Sequence, residues 1–208
     1  MPVSSVQLRN FSEEYVHEAR DLLVDIIHRR GPVHTCLNSC EERAIQKFSI
    51  EYLRQCAQDG LSVLALDTNN GHRVVGVSLV CITTPPRREP PVIKHLILKL
   101  KAQVDLSAIL GKQARVAELG TAVVHDGYTG QGIFTRMLEM VAEMFKQRNI
   151  SYMGGIFSSS FSRKAALKVG FEMVASVKYA DFEYEGEKPL MALAKDHQEI
   201  TYGVLKVM

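Results

Sequence analysis

A strand, a glycine-rich turn and a helix follow one another in the segment Val123–Phe134, and this order restricts the fold more than any other feature of the chain. The apolar strand end Val123-Val124 leads into a turn with glycines at positions 127, 130 and 132. Glycine lets the backbone approach a ligand closely. The free N–H groups and the dipole of the helix that follows favour a negatively charged group. The segment therefore predicts a site for a phosphate or pyrophosphate.

Two common phosphate-binding motifs do not fit this segment. A P-loop needs the pattern GxxxxGK[ST], which the chain lacks. A dinucleotide fingerprint needs GxGxxG after an early strand, whereas the order here is Gly127-x-x-Gly130-x-Gly132 after the fourth predicted strand. The ligand must therefore be identified from the wider context of the turn.

Composition and charge exclude several classes of protein. The 208 residues suffice for one well-filled domain, and the net charge of +2 comes without a long basic run, which argues against nucleic-acid binding. Cys36, Cys40, Cys56 and Cys81 are scattered, so we expect no metal site and a reducing compartment, the cytoplasm. Because no apolar run approaches ~20 residues, we expect neither a signal peptide nor a membrane span.

Hydrophobic periodicity predicts one α/β domain over residues 1–208, with a mixed central sheet of about seven strands flanked by helices. A first helix over 12–29 ends at Gly31-Pro32, and a capping box at Ser39–Glu42 opens a second helix that runs to about Gln58. The remaining strands are expected at 5–10, 61–66, 74–82, 115–124, 152–157, 171–184 and 200–207, and the remaining helices at 92–101, 131–147 and 161–169. The proline-rich segment from Pro85 to Pro91 breaks the pattern and predicts a binding wall or a solvated loop.

Three segments together carry a resemblance to a known family. Residues 118–134, with Thr129-Gly130-Gln131-Gly132-Ile133-Phe134, resemble the acetyl-coenzyme A (acetyl-CoA) motif of the GNAT acetyltransferase superfamily. The segment from Ser158 to Phe171 resembles the next helix and the "GF" strand start of that superfamily. The tail from Tyr179 to Gly186, followed by His197, is similar to the arylalkylamine N-acetyltransferase branch of invertebrates.

The resemblance implies an N-acetyltransferase with acetyl-CoA as cosubstrate, no metal, and a small primary amine as acceptor. The amine would attack the thioester directly while enzyme, acetyl-CoA and amine form a ternary complex. The protein itself is expected to be a monomer or a weak dimer. The coenzyme pantetheine would lie against Ala122, Val123 and Val124. Its pyrophosphate would lie at Thr129, Gly130, Gln131, Gly132, Ile133 and Phe134. The acceptor would contact loops at 30–40, 84–113 and 180–199.

Three positions depart from the family pattern. Thr129 stands where Arg or Gln is usual, so one cationic contact to the pyrophosphate is lost. Phe134 replaces a small residue and is expected to pack on the core face of its helix. The arylalkylamine branch has an acidic residue after the first helix, whereas the stretch Gly31–His34 contains no carboxylate.

Acetyl transfer needs a base for the amine and a proton for the departing thiolate. Glu118, the lone carboxylate in an apolar strand, is the candidate base; the alternative is a carboxylate satisfied by a neighbouring Arg or by water. Ser158 and Ser162 match the serine pair of the arylalkylamine branch, although serines before a helix are also favoured caps. Ala166 occupies the position where many GNAT enzymes place a catalytic tyrosine, so that mechanism is absent at this place.

Two further questions stay open at the level of sequence. His197 matches a family position but could serve only to brace a hairpin, and Lys164 and Lys168 could approach the nucleotide phosphate or form a solvated helix face. The function also has alternatives: a GNAT enzyme acting on a polyamine or a protein lysine, or a non-catalytic acyl-CoA-binding protein.

Overall fold

A computed structural model of the protein describes residues 5–37, 48–80, 89–111 and 116–208. Seven strands form one mixed sheet in the order β1-β2-β3-β4-β5-β7-β6. The neighbouring pair β4 and β5 is parallel, and the other pairs are antiparallel. The strands are β1 (Val6–Asn10), β2 (Val63–Asp67), β3 (Arg73–Val80), β4 (Val116–Val124), β5 (Tyr152–Phe157), β6 (Glu172–Lys178) and β7 (Glu199–Lys206).

Helices cover both faces of this sheet. They are α1 (Val16–Arg30), α2 (Pro32–Cys36), α3 (Ile50–Asp59), α4 (Pro91–Lys101), α5 (Leu106–Leu110), α6 (Ile133–Gln147) and α7 (Ser160–Val169). Short 3₁₀ turns occupy Glu13–Tyr15, Asp126–Tyr128, Tyr179–Asp181 and Met191–Lys195. The mixed α/β architecture with seven strands confirms the fold class expected from the periodicity of the sequence.

Three apolar clusters hold the layers together. On one face, the buried side of α6, which includes Met137, Leu138 and Phe145, packs on the sheet together with Ala166 of α7. On the other face, α1 and α3 cover the half of the sheet that contains β2 and β3. Helix α4 covers the half that contains β6 and β7, through residues such as Leu96. Burial of these side chains supplies the main free energy of folding.

The ends of several elements follow from identifiable local signals. Helix α1 ends at Gly31, as predicted, and Pro32 then occupies the first turn of the short helix α2. Helix α7 ends at Gly170, which adopts a left-handed conformation with φ of +102°. Ser49 caps α3 by accepting a hydrogen bond from the N–H group of Tyr52.

One predicted element is wrong, and several others lie wholly or partly outside the described residues. The strand predicted for 171–184 ends at Lys178, because the chain turns into a 3₁₀ helix that buries Tyr179 and Phe182 against α4. The capping box at Ser39–Glu42 lies outside the described residues, and the described part of the second helix begins at Ile50. Within the segment from Pro85 to Pro91, only Glu89 and the two residues after it are described.

Candidate active site

Strands β4 and β5 pair along only part of their length. Their parallel register runs from Val116 opposite Tyr152 to Leu119 opposite Gly155. Both strands continue beyond these residues, β4 to Val124 and β5 to Phe157. The two strands therefore diverge in the middle of the sheet and open a gap between them.

A β-bulge in β4 lies at the start of this gap. Val80 of β3 pairs with Leu119, whereas its neighbour Leu79 pairs with Thr121, so Gly120 has no partner on β3. Leu119 packs in the cluster beneath α6, while Val123 packs against α1 and α3 on the opposite face. The extra residue thus changes which side chains of β4 face each layer, and bulges of this kind commonly occur beside active sites.

The gap continues into a cleft of about 1250 Å³. Of the predicted coenzyme residues, eight line it: Ala122, Val123, Val124, Thr129, Gly130, Gly132, Ile133 and Phe134. Gln131 does not, and its side-chain amide donates to the carbonyl of Gly127 at 3.3 Å. Each of the three predicted acceptor loops also contributes lining residues. Those of the loop at 30–40 include Val33, His34 and Cys36; those at 84–113 include Glu89, Ile93, Leu96 and Ile97; and those at 180–199 include Ala192, Leu193, Asp196 and His197.

The glycine turn at one end of the cleft presents free amides. Gly130 and Gly132 adopt left-handed φ angles of +75° and +73°, and no atom lies within 4 Å of the place where a Cβ would stand on either residue. Within the described part of the chain, the N–H groups of residues 130–135 donate to no protein acceptor. The first intrahelical bond runs from Arg136 N–H to Gly132 C=O. The turn and the N-terminus of α6 can thus hold an anion, because their N–H groups and the helix dipole act together.

The cations of the cleft divide into two groups. Arg29 and Arg30, at the end of α1, both bind the carboxylate of Asp126, with Arg29 Nη1 2.9 Å from Asp126 Oδ2. Hydrogen bonds from the two guanidinium groups lower the pKa of Asp126. Lys164 and Lys168, on α7, form no ion pair with described residues.

The two departures in the glycine motif have clear structural correlates. Thr129 donates its hydroxyl to the carbonyl of Asp126 at 3.0 Å, which secures the turn but supplies no cation. Phe134 packs against the cluster beneath α6, as expected, while one side of it lines the cleft. The turn therefore keeps its free backbone donors but has no side-chain cation at position 129.

Glu118 lies in an ion-paired cluster next to the cleft lining. Lys101 Nζ is 2.7 Å from both carboxylate oxygens, and the hydroxyl of Tyr202 donates to Oε1 at 3.1 Å. Burial and the nearby Glu118 raise the pKa of Tyr202, so this phenol stays protonated. Ile97 lines the cleft and lies one helical turn before Lys101, on the same face of α4. Ile200 also lines the cleft and lies two positions before Tyr202, on the same face of β7.

Sequence reasoning did not find Lys101 or Tyr202 as partners of Glu118. Lys101 belongs to α4, which follows the proline-rich segment, and Tyr202 belongs to the last strand. A partner was anticipated for the carboxylate in general, but only the tertiary arrangement brings these two side chains to it. The one local signal was an apolar strand with a single carboxylate, which needs a partner when it is covered.

The two candidate serines have different roles in the structure. Ser162 completes a capping box with Ser159 at the start of α7, where the two hydroxyl oxygens are 2.9 Å apart. Ser158 lines the cleft, and its carbonyl accepts a 2.7 Å hydrogen bond from the buried hydroxyl of Tyr179. The Ser158 hydroxyl forms no hydrogen bond with described protein groups. Of the pair, Ser158 therefore has the hydroxyl that is available to a ligand.

Neither the position of the family tyrosine nor Gly31 has room for a larger side chain. Ala166 is fully buried in the cluster beneath α6, and its neighbour Ala165 is the residue that lines the cleft. A Cβ on Gly31 would lie 2.6 Å from the carbonyl oxygen of Ile27, so any side chain there requires the chain to move. His197 Nδ1 accepts a hydrogen bond from the backbone N–H of Ser160 and lies 3.1 Å from its hydroxyl oxygen, which ties the segment before β7 to α7.

The other end of the cleft is mainly apolar. Val33, Ile93 and Leu96 are buried core residues that also line the cleft, and Leu193 and Ile200 extend this surface. The acidic residues of the lining, within the described chain, are Glu89 and Asp196. This wall can accept an apolar group more readily than a polycation.

The described residues contain no group of three side chains arranged to hold a metal ion. They also contain no helix of the length and apolar character that crossing a lipid bilayer requires.

Comparison with solved structures identifies the fold. Arylalkylamine N-acetyltransferase 2 from Aedes aegypti superposes with a TM-score of 0.75 at 14% identity, covering 98% of this chain and 99% of its own. A mosquito arylalkylamine N-acetyltransferase-like protein 5b gives 0.75 at 22% identity, covering 97% and 100%. The polyamine N-acetyltransferase of Drosophila melanogaster gives 0.74 at 13% identity, covering 97% and 99%.

The chain has the GNAT acetyltransferase fold. No protein-family model matches it, and no curated protein sequence matches it either.

Proposed function

We propose that the protein is an N-acetyltransferase that uses acetyl-CoA to acetylate a small primary amine. One observation carries this proposal: a single cleft joins the free amides of the glycine turn to the apolar wall through the gap between β4 and β5. A phosphate-bearing carrier can bind at one end while an amine binds at the other. The solved enzymes with this fold, named for arylalkylamines and polyamines, support the same class of reaction.

The coenzyme site follows the cleft from the gap to α6. Bound acetyl-CoA would supply the activated acetyl group as a thioester. The edge of β4 that faces β5 has no strand partner beyond Leu119, so its backbone groups are available to the pantetheine amides and the thioester carbonyl. The amides at Gly130–Thr135 would hold the pyrophosphate.

The proton transfers are assigned to Glu118 and Ser158. We propose that Glu118 accepts the proton of the attacking amine through water. It lies two positions before the lining residue Gly120 in β4, and its partner Lys101 lies one helical turn after the lining residue Ile97. Lys101 fixes the position of this carboxylate through contacts to both of its oxygens. The free hydroxyl of Ser158 would assist proton delivery to the thiolate, and Ser162 would support it from the helix cap.

The acceptor is proposed to carry an apolar or aromatic group, because Val33, Ile93 and Leu193 form its wall. A polyamine acceptor would need more carboxylates than Glu89 and Asp196 supply in the described lining. A cytoplasmic location fits the free thiol of Cys36.

A second candidate is a non-catalytic acyl-CoA-binding protein. The contacts of the candidate catalytic groups favour it: Glu118 is ion-paired with Lys101, and Ser162 is part of a helix cap. The stretch Gly31–His34 also contains no carboxylate. In that case the coenzyme site would be intact and the acetyl group would not be transferred.

The deciding experiment measures release of CoA from acetyl-CoA with aromatic amines, polyamines and lysine peptides, beside acetyl-CoA binding by calorimetry. We expect turnover with an aromatic amine. Binding without turnover on any amine would favour the second candidate, and absence of binding would refute both.

Glu118→Gln and Lys101→Gln form a matched pair for the base assignment, because each breaks the same ion pair. If Glu118 is the base, Glu118→Gln lowers kcat ~100-fold or more, the usual scale for loss of a general base. Lys101→Gln then keeps most of kcat, because it removes the partner and leaves the carboxylate in place. Equal losses in both variants would show that the pair is structural.

A further inference from the structure

One face of helix α7 presents an aromatic ring and two cations to the cleft. Phe161, Lys164 and Lys168 all line it. Their spacing of three and four residues places them on one face of the helix, over about 10 Å along its axis at 1.5 Å per residue. Ala166, on another face of α7, is fully buried in the core. The stripe is therefore directed toward the space that the coenzyme site occupies.

Phe161 is the most exposed large apolar side chain of the described residues, at 75%. Its ring and the ring of His197 form a T-shaped pair with centroids 5.9 Å apart, and most of the Phe161 side chain stays open to solvent. An exposed aromatic ring at the mouth of a cleft is a stacking surface for a planar group, and nucleobases stack well on such rings.

Lys164 and Lys168 differ from the other cations of the cleft. Arg29 and Arg30 are both engaged by the carboxylate of Asp126. The two lysines have no acidic partner among the described residues, although they lie only one helical turn apart and repel each other there. Two unneutralised cations beside an aromatic ring match a nucleotide that carries a phosphate monoester with a charge near −2.

We propose that this face of α7 binds the 3′-phosphoadenosine end of CoA, with Phe161 stacked on the adenine and Lys164 and Lys168 on the 3′-phosphate. The inference rests on the proposed function, because it assumes that CoA binds in the cleft. It assigns the pyrophosphate to the backbone amides of the glycine turn and the 3′-phosphate to the side chains of α7. Lys164 and Lys168 would thus offset the affinity lost with the missing cation at position 129, although they contact a different phosphate of the same ligand.

Calorimetric titration of CoA and of dephospho-CoA, which lacks only the 3′-phosphate, tests this assignment. The wild-type protein is expected to bind CoA ~10-fold more tightly than dephospho-CoA, a modest factor because the lysines are solvated. In Lys164→Met/Lys168→Met this preference falls to about onefold, since methionine keeps the helix propensity but removes the charge. Phe161→Ala weakens both ligands by ~5-fold or more through the lost stacking surface.

The matched control is Lys178→Met/Lys206→Met, which removes the same two charges from exposed strand positions outside the cleft lining. It is expected to keep the ~10-fold preference, because salt screens distant exposed charges. Equal weakening of CoA and dephospho-CoA in the α7 lysine variant would overturn the assignment and place the lysines on the pyrophosphate. A wild-type protein that binds both ligands equally would overturn it while leaving the proposed function standing, and one that binds neither would overturn both.

Discussion

Gly132→Ala separates the conformational role of the glycine turn from its role in binding. Gly132 caps α6 with φ of +73°, and a Cβ there would meet no atom within 4 Å. The substitution therefore creates no clash, and its cost is the left-handed backbone of an alanine, roughly 1–2 kcal/mol. For a chain of this size, that cost lowers the Tm by ~2–8 °C.

The binding effect has a separate origin. The added methyl group would stand beside the free amides that face the pyrophosphate. Losing one charge-assisted hydrogen bond costs ~1.5–3 kcal/mol, which corresponds to a Kd for acetyl-CoA weaker by ~10-fold or more. Calorimetry with acetyl-CoA measures this change at a temperature well below the Tm.

Gly71→Ala is the control for Gly132→Ala. Gly71, in the turn between β2 and β3, has φ of +60° and equally open space around its missing Cβ, and it does not line the cleft. It should lose as much thermal stability and no affinity. If Gly132→Ala bound acetyl-CoA as tightly as the wild-type protein, or if Gly71→Ala bound it as weakly as Gly132→Ala, the reasoning about the glycine turn would be refuted.

Three other predictions concern proton transfer and packing. Ala166→Tyr should unfold at a Tm several degrees lower and gain no turnover, because overpacking a buried position costs ~1–3 kcal/mol; an active, stable variant would contradict the burial argument. Asp126→Asn should lower the Tm at pH 7 slightly, because the ionised carboxylate stabilises the folded state through the two arginines. The difference from the wild-type protein should vanish as the pH falls through the depressed pKa of Asp126, where the carboxylate becomes protonated. A Tm difference independent of pH would count against the two arginine contacts. Ser158→Ala should lower kcat ~10-fold or more at unchanged Tm. Ser162→Ala should instead lose ~1 kcal/mol of stability, as should the helix-cap control Ser49→Ala. The reverse pattern would assign proton delivery to Ser162.

Local signals in the sequence located most of the elements that build the cleft. The apolar period of α6 and the glycine after α7 gave their ends to within a few residues, because both signals act within one helical turn. The strand predicted beyond Lys178 was wrong for the opposite reason. Tyr179 and Phe182 suit a strand by propensity, but their burial against α4 bends the chain, and that contact is not local.

The candidate site was predictable to a similar extent. The glycine turn and the start of α6 could be located from the sequence, because glycines and helix periodicity are local signals. The bulge at Gly120 could not be located, because it depends on the register of β4 against β3. The engagement of Glu118 by Lys101 also depends on tertiary structure, since the two residues lie on different elements whose packing no periodicity specifies.

The divergence of β4 and β5 has a consequence for association of the protein with other chains. An unpaired strand edge normally invites edge-to-edge aggregation at the rim of a sheet. Here the unpaired edge of β4 lies in the interior of the sheet, with β3 hydrogen-bonded on its other side and β5 held by β7. Its backbone groups are therefore accessible to a slender molecule that can enter the gap. A strand of another protein, with strands of its own on both sides, is too wide to enter.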